Sequence, residues 1–127
     1  MPPLRVVAAS DAFSGSLTSL EVGAAVAAGV HEVLPTAEVV LVPVADGGEG
    51  TVAAALAAGF RAVPAPVHGP TGAPVTATLA VREDPGSGRT VVVELADACG
   101  RGRLPGGVPA PLAATSHGLG EAIRAAL

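Results

Sequence analysis

The first part of the chain has a pattern of apolar and polar positions that predicts a strand followed by a helix. The run from Leu4 to Ala9 is short and apolar, which favours a buried strand of a parallel sheet. Thr18 and Glu21 form a capping-box pattern, in which each side chain satisfies a free backbone N–H of the other residue. The apolar-rich stretch after them predicts a helix that ends near Leu34, because Pro35 cannot continue a helix.

A second strand and a second helix follow in the same order. Glu38 to Ala45 is another apolar run and predicts a strand. Thr51 to Ala58 predicts a short helix that Gly59 closes as a C-terminal cap. Strand, helix, strand and helix in this order are typical of an α/β layer fold. Because crossovers in such folds are right-handed, we expect the loops after the two strands to lie at one edge of the sheet.

The second half of the chain has a different pattern, which predicts a hairpin and a last helix. Apolar residues from Val75 to Val81 recur at every second position, as in a half-buried strand. Asp84–Gly88 has turn composition and Thr90–Leu95 predicts another strand, so the two strands form an antiparallel hairpin. Thr115 or Ser116 is the expected N-cap of a final helix.

The change of pattern also predicts a domain boundary. We place it near Pro64–Pro66, where the sequence leaves the α/β order. Residues 1–63 are then an N-terminal α/β segment, and residues 64–127 are the start of a second domain.

Charge and composition exclude several classes of protein. The formal net charge is −4, lysine is absent, and the arginines are scattered, so a nucleic-acid surface is not expected. Cys99 is the single cysteine and cannot form an internal disulfide. No apolar run approaches the ~20 residues that span a bilayer, so we expect a cytoplasmic protein without a membrane partner.

The loop Asp11–Ser16 is the first candidate for chemistry. It follows a strand and precedes a helix, whose N–H groups can meet an anion there. The loop has neither the lysine of a Walker A loop nor the glycine spacing of a dinucleotide fingerprint. A plain strand-to-helix turn explains it equally well.

The loop Ala45–Thr51 is the second and more informative candidate. Glycines separate Asp46 from Glu49 and let the backbone approach a ligand closely. Asp46 suits a base that accepts a proton from an attacking hydroxyl, and Glu49 suits a ligand for Mg²⁺ or for substrate hydroxyls. A capped turn explains the same spacing equally well, with Asp46 as a cap and Glu49 in the first turn of the helix.

Three further residues are candidates on weaker grounds. Glu94 ends an apolar strand, where an exposed edge position is favoured over a buried or pocket-facing one. His117 stands at a helix start beside Ser116 and can touch an anion. His31 and His68 have the setting of surface or loop residues, and no set of His, Cys and Asp has the spacing of a metal site.

Taken together, these segments resemble the type-1 glycerate kinase family. The family motif Ala-Asp-Gly-Gly-Glu-Gly-Thr stands intact at Ala45–Thr51, which is the most specific match. The other segments that resemble family motifs, in the family's order, are Asp11–Leu17, Val67–Val75, Val93–Ala96 and Thr115–Glu121.

The resemblance implies a fold and an activity. The fold would be a partial flavodoxin-like parallel sheet with helices, followed by part of an inserted second α/β domain that contains the hairpin. The activity would be that of a small-molecule kinase, with Mg²⁺ and ATP as cofactors and D-glycerate as substrate. Asp46 and Glu49 would be the catalytic residues and the Mg²⁺ ligands. The residues implied in substrate binding are Asp11, Ser16, Gly47, Gly48, Glu94, Ser116 and His117.

The chain also departs from the family. The family's first-loop lysine is Ser14 here and the serine beside it is Ala12, while His117 and Leu119 replace a tyrosine and a threonine. Family members are much longer and continue into a further glycine-rich loop. The alternative function is therefore that of a truncated, non-catalytic fragment or remnant that at most binds a small anion. In that form we expect it to self-associate through an open sheet edge.

Overall fold

The N-terminal unit of the chain, Met1–Gly50, contains two parallel strands joined by one helix. The computed structural model describes residues 4–13, 15–86 and 88–127. The elements of this unit are β1 (Arg5–Ser10), α1 (Ser19–Val33) and β2 (Glu38–Pro43). The predicted order of strand, helix and parallel strand is confirmed.

Both ends of α1 follow from local sequence. The Glu21 N–H donates to Thr18 Oγ1 at 3.3 Å, and the Thr18 N–H donates to Glu21 Oε2 at 2.7 Å, which is the predicted capping box. At the other end the Leu34 N–H still donates to the Val30 carbonyl, and Pro35 follows. The helix therefore begins and ends where the pattern predicted.

The N-terminal unit buries few of its own apolar side chains. Ala8, Val22 and Ala37 are buried, and two of these three are small alanines. By contrast, Val7 is 60% exposed and Val33 is 79% exposed. This unit therefore has a small core. Because the stabilisation scales with buried apolar area at ~25 cal/mol per Å², that core contributes little to stability. Self-association of the chain stays a prediction.

The second unit, Thr51–Leu127, is built on a three-stranded antiparallel sheet. The strand order is β3-β4-β5, so the predicted hairpin is confirmed as the pair β4–β5. Ser87, in the turn of that hairpin, lies outside the described residues. The elements are α2 (Thr51–Ala57), β3 (Arg61–His68), β4 (Pro74–Asp84), β5 (Gly88–Val92), α3 (Leu95–Cys99) and α4 (His117–Ala126).

Gly59 ends α2 as predicted. The Phe60 N–H donates to the Ala55 carbonyl and the Gly59 N–H to the Leu56 carbonyl, which together form a Schellman motif. Gly59 has φ of +93°, a left-handed conformation that glycine adopts without strain.

Strand β3 was not predicted, because Pro64 and Pro66 lie inside it. A proline cannot donate a ladder hydrogen bond, so it is tolerated in an edge strand. β3 is an edge strand, and its two prolines are two residues apart and therefore present their nitrogens to the same side. β3 runs continuously from Arg61 to His68. The two compact units of the chain divide between Gly50 and Thr51, and the domain boundary near Pro64 stays a prediction.

The core of the second unit lies between the sheet and helices α3 and α4. Leu79 and Val81 are its largest fully buried side chains, and each such side chain contributes roughly 1.5–3 kcal/mol. The buried cluster consists of Ala65, Val67, Ala77, Leu79, Val81, Ala98 and Ala122.

Asp97 links α3 to the sheet. One carboxylate oxygen accepts the Thr78 N–H at 2.6 Å, and the other forms an ion pair with Arg103. Arg103 also donates to the Asp97 carbonyl at 2.7 Å and to the Thr76 carbonyl at 3.3 Å.

The predicted strand Thr90–Leu95 extends too far, because the ladder ends at Val92 and Leu95 already begins α3.

No helix in the described part of the chain combines the length and the apolar character needed to cross a membrane.

Candidate active site

The two candidate loops leave the N-terminal sheet at the same edge. β1 and β2 are parallel and in register, with Ser10 opposite Pro43 at their carboxyl ends. Beyond this pair the Val44 N–H still donates to the Ser10 carbonyl at 3.1 Å. The prediction that both loops follow strand ends at one edge is confirmed. In α/β sheets this edge is where ligands bind.

The second loop exposes both of its carboxylates. Asp46 is exposed and its Oδ1 accepts the Gly48 N–H at 2.9 Å, a turn that the side chain closes locally. Glu49 is also exposed. Gly47 and Gly50 have φ of +97° and +91°, and a Cβ at either residue would meet no atom within 4 Å. There is therefore open space beside the Cα atoms of these two glycines, and both are needed for their conformation.

The capped-turn interpretation is confirmed for Asp46 and wrong for Glu49. Asp46 Oδ1 accepts an N–H two residues further on, as an N-cap analogue does, although α2 itself begins only at Thr51. Glu49 lies before the helix, whose first turn contains no acidic residue. Asp46 and Glu49 are thus exposed at the sheet edge and are not used to begin α2.

The first loop is a tight turn that uses its own polar groups. Asp11 is exposed and its Oδ1 accepts the Ala12 N–H at 2.7 Å. The Ser16 hydroxyl donates to the Phe13 carbonyl at 3.1 Å, and Phe13 forms a bridge with Leu17. Ser14, which stands in place of the family's lysine, lies outside the described residues.

The N-terminus of α1 is satisfied from within the chain. The capping box occupies the Thr18 and Glu21 N–H groups, and the Thr18 hydroxyl donates to Glu21 Oε2 at 2.8 Å. The hydrogen bonds from the Thr18 backbone and then from its side chain lower the pKa of Glu21 below 4.5. An ionised carboxylate therefore already stands where the anion was expected, which speaks against an anion site on this helix.

Glu94 is buried, which contradicts the exposed edge position favoured from the sequence. Glu94 is 8% exposed, and its Oε2 accepts the Val52 N–H at 2.8 Å. Val52 is in the first turn of α2, so the carboxylate of Glu94 satisfies an amide at the start of that helix.

Ser116 and His117 are exposed at the start of α4. Thr115 provides the predicted cap contact, because its Oγ1 accepts the His117 N–H at 2.9 Å. The Ser116 side chain makes no capping hydrogen bond to the helix. His117 Nε2 lies 3.5 Å from Glu121 Oε1. His117 belongs to a cluster whose other members were not predicted as site residues.

That group, the His–Glu–His cluster, consists of His68, His117 and Glu121. His68 Nδ1 lies 2.9 Å from Glu121 Oε1, the His68 N–H donates to Glu121 Oε2 at 2.7 Å, and the two rings are 6.4 Å apart. The His68 side chain, followed by its backbone N–H, lowers the pKa of Glu121 below 4.5. A shallow depression of about 320 Å³ beside it is lined by His68, Gly69, Gly72, Thr115 and His117.

Gly118 makes this cluster geometrically feasible. A Cβ on Gly118 would lie 1.9 Å from the His68 carbonyl oxygen, so only glycine lets α4 approach the end of β3. His68 and Glu121 are far apart in sequence, and only the resemblance of their flanking segments to family motifs pointed to them.

The described ranges contain no group of three His, Cys, Asp or Glu side chains arranged to hold a metal ion.

Comparisons with known proteins agree on one family. The model of the glycerate kinase family matches residues 6–127. A glycerate 2-kinase from Escherichia coli (strain K12) is 42% identical over 98% of this chain and 32% of its own length. A glycerate kinase from Bacillus subtilis (strain 168) is 41% identical over the same shares.

A solved structure gives the same result. The crystal structure of a putative glycerate kinase 2 from Salmonella typhimurium LT2 superposes with a TM-score of 0.74 and 39% identity. The match covers 98% of this chain and 33% of that one. The chain thus spans about a third of the length of the relatives that it matches.

Proposed function

Because the chain belongs to the glycerate kinase family, we propose that its two loops act in the transfer of a phosphoryl group from ATP to a hydroxyl of D-glycerate. The observation that carries the proposal is the intact loop Ala45–Thr51 at the carboxyl edge of β2. That loop combines exposed carboxylates with an open glycine backbone, beside the strand end from which the loop Asp11–Ser16 leaves.

The oxygen donors of the loop suit a phosphate group that carries Mg²⁺. Asp46 and Glu49 provide exposed carboxylate oxygens, which Mg²⁺ prefers. The open backbone at Gly47 and Gly50 leaves space for a ligand against the main chain. When bound, Mg²⁺ neutralises charge on the phosphates.

Asp46 is the residue proposed to handle the proton. Its Oδ1 is already engaged by the Gly48 N–H, which fixes the carboxylate in one orientation. The carboxylate would accept the proton of the attacking glycerate hydroxyl, as an aspartate does in protein kinases. Glu49, three residues further on, would act as the Mg²⁺ ligand, and Asp11 and Ser16 would contact the substrate.

The decisive variant is Asp46→Asn. The amide oxygen of asparagine can still accept the Gly48 N–H, so the turn and the stability should change little. A base or metal ligand typically contributes a factor of ~10² or more to turnover, so kcat should fall by at least that factor. Glu32→Gln, an exposed carboxylate on α1, is the matched control and should leave kcat unchanged.

The assay follows phosphoglycerate formation from Mg·ATP and D-glycerate in two preparations. One is a chimaera in which residues 6–127 replace the matching third of the Escherichia coli relative, and the other is the 127-residue chain alone. A folded chimaera whose turnover survives Asp46→Asn would refute the role of Asp46. Separating 2- from 3-phosphoglycerate would also identify the hydroxyl, for which the relative's name gives position 2.

The chain alone tests the alternative of a non-catalytic fragment. We expect no turnover from it, because phosphoryl transfer needs several positioned groups and the chain provides about a third of its relatives' length. Turnover above background that Asp46→Asn abolishes would show that the remaining two thirds are dispensable.

A further inference from the structure

Glu94 combines burial with a contact that is distant in sequence. Among the charged residues of the described ranges it is the buried one, at 8% exposure. A buried carboxylate is costly unless hydrogen bonds compensate it, and here Oε2 accepts the Val52 N–H at 2.8 Å. Forty-two residues of sequence separate the two groups, so the contact is a product of the fold.

The contact answers a need of α2. The first N–H groups of a helix have no partner within the helix, and α2 has no acidic residue in its own first turn. Glu94 brings a carboxylate to that end from the segment between β5 and α3. A hydrogen bond between a carboxylate and an N–H at this end is charge-assisted, and the helix dipole favours it.

The contact bears on the glycine loop, because α2 follows that loop directly in the chain. Val52 is two residues after Gly50, the last glycine of the loop that carries Asp46 and Glu49. Glycines at φ of +91° and +97° make that loop conformationally permissive, so its geometry depends on how its ends are held. The downstream end of the loop leads directly into α2, which begins at Thr51.

We propose that Glu94 is a positioning residue, which holds the start of α2 and thereby the downstream end of the glycine loop, and that it is not a ligand of substrate or metal. Its kinetic consequence rests on the proposed kinase function. The structural half, that Glu94 holds the Val52 amide, is independent of any activity.

Two substitutions separate positioning from ligation. Glu94→Gln keeps the side-chain volume and an oxygen that can accept the Val52 N–H, but removes the charge. Glu94→Leu keeps a similar volume and removes the acceptor. A positioning role needs the acceptor, so Gln should substitute for Glu, whereas a metal ligand needs the charge, so Gln should fail as Leu does.

The contact between Glu94 and the Val52 amide is tested by measuring hydrogen exchange of that amide in the 127-residue chain. We expect exchange in Glu94→Gln within about threefold of the unsubstituted chain, and exchange in Glu94→Leu faster by about tenfold or more, since an opened contact exposes the amide. Equal exchange in all three proteins would overturn the contact. Glu83→Gln, an exposed glutamate on β4, is the control for loss of a carboxylate.

The kinetic half is measured in the chimaera as kcat and KM. A misplacement of about 1 Å can cost ~10²-fold in rate, so Glu94→Leu should lose ten- to a hundredfold in kcat while Glu94→Gln stays within about threefold. Loss in Glu94→Gln as deep as in Glu94→Leu would overturn the positioning role in favour of ligation. If Glu94→Leu does not fold, Glu94→Gln alone decides, because retained turnover supports positioning and a hundredfold loss overturns it. An inactive but folded unsubstituted chimaera would count against the kinase function, while exchange at Val52 would still decide the contact.

Discussion

The close approach of α4 to the end of β3 gives the sharpest test of the fold, through the substitution Gly118→Ala. A methyl group there would lie 1.9 Å from the His68 carbonyl oxygen, whereas real Cβ contacts essentially never fall below 3.0 Å. The opposing atom belongs to the backbone, so no side-chain rotation relieves the clash. α4 must move away from β3 by about 1 Å, and Ala122, which is fully buried in the core of this unit, moves with it.

The magnitude follows from two opposing effects. Overpacking of this kind costs ~1–3 kcal/mol or more, whereas alanine in a helix is favoured over glycine by at most ~1 kcal/mol. Because the clash is with backbone, the cost lies at the upper end of this range, and we expect a net loss of roughly 2 kcal/mol. In a domain of this size, 1 kcal/mol corresponds to ~4–8 °C in Tm, so the Tm of the second unit should fall by about 8–16 °C.

Gly120→Ala is the matched control on the same helix. A Cβ at Gly120 would meet no atom within 4 Å, so the substitution brings only the helix preference of alanine and should raise stability by ~0.5–1 kcal/mol. Thermal melts followed by far-ultraviolet circular dichroism compare the two variants with the unsubstituted chain. Equal melting temperatures for Gly118→Ala and Gly120→Ala would show that α4 does not approach the His68 carbonyl this closely.

Two further predictions concern carboxylates and caps. The pKa of Glu121 is lowered below 4.5, first by the hydrogen bond from the His68 side chain and then by the His68 backbone, so its contribution to stability is present above pH 4.5 and is lost as the pH falls below it. Urea melts at successive pH values should therefore show a steeper loss below pH 4.5 in the unsubstituted chain than in Glu121→Gln, and parallel curves would refute the ion pair. Thr18→Ala removes the N-cap of α1 and should cost ~1 kcal/mol in the N-terminal unit, whereas Thr36→Ala, at an exposed threonine outside the helices, should cost little. Equal melts for these two variants would show that the capping box does not stabilise α1.

The elements that could be predicted are those whose signals are local. The capping box, the stop before Pro35 and the left-handed Gly59 each involve residues within a few positions of one another, and all were found in the structure. β3 escaped prediction because proline is normally evidence against a strand. Its place at the sheet edge, which makes Pro64 and Pro66 acceptable, is decided by tertiary pairing with β4.

The candidate site divides in the same way. Asp46 and Glu49 could be named from one short motif, and their exposure at the sheet edge agrees with the chemistry proposed for them. His68 and Glu121 could not be paired from the sequence, because what brings them together is the absence of a side chain at Gly118. A glycine whose purpose is contact with a distant strand looks, in the sequence, like any glycine near a helix start.

Two glutamates show why one cap was predictable and the other was not. Glu21 lies at the third helical position of α1 and reaches back to the Thr18 N–H, so spacing alone reveals it. Glu94 accepts an N–H at the start of α2 from 42 residues away, and the residues next to it in sequence do not indicate this contact. The exposed cap can be lost at the cost of one helix end, since water can replace it. The buried carboxylate cannot be replaced by water without separating α2 from the segment after β5, so a substitution that removes the acceptor, such as Glu94→Leu, should disturb both elements together.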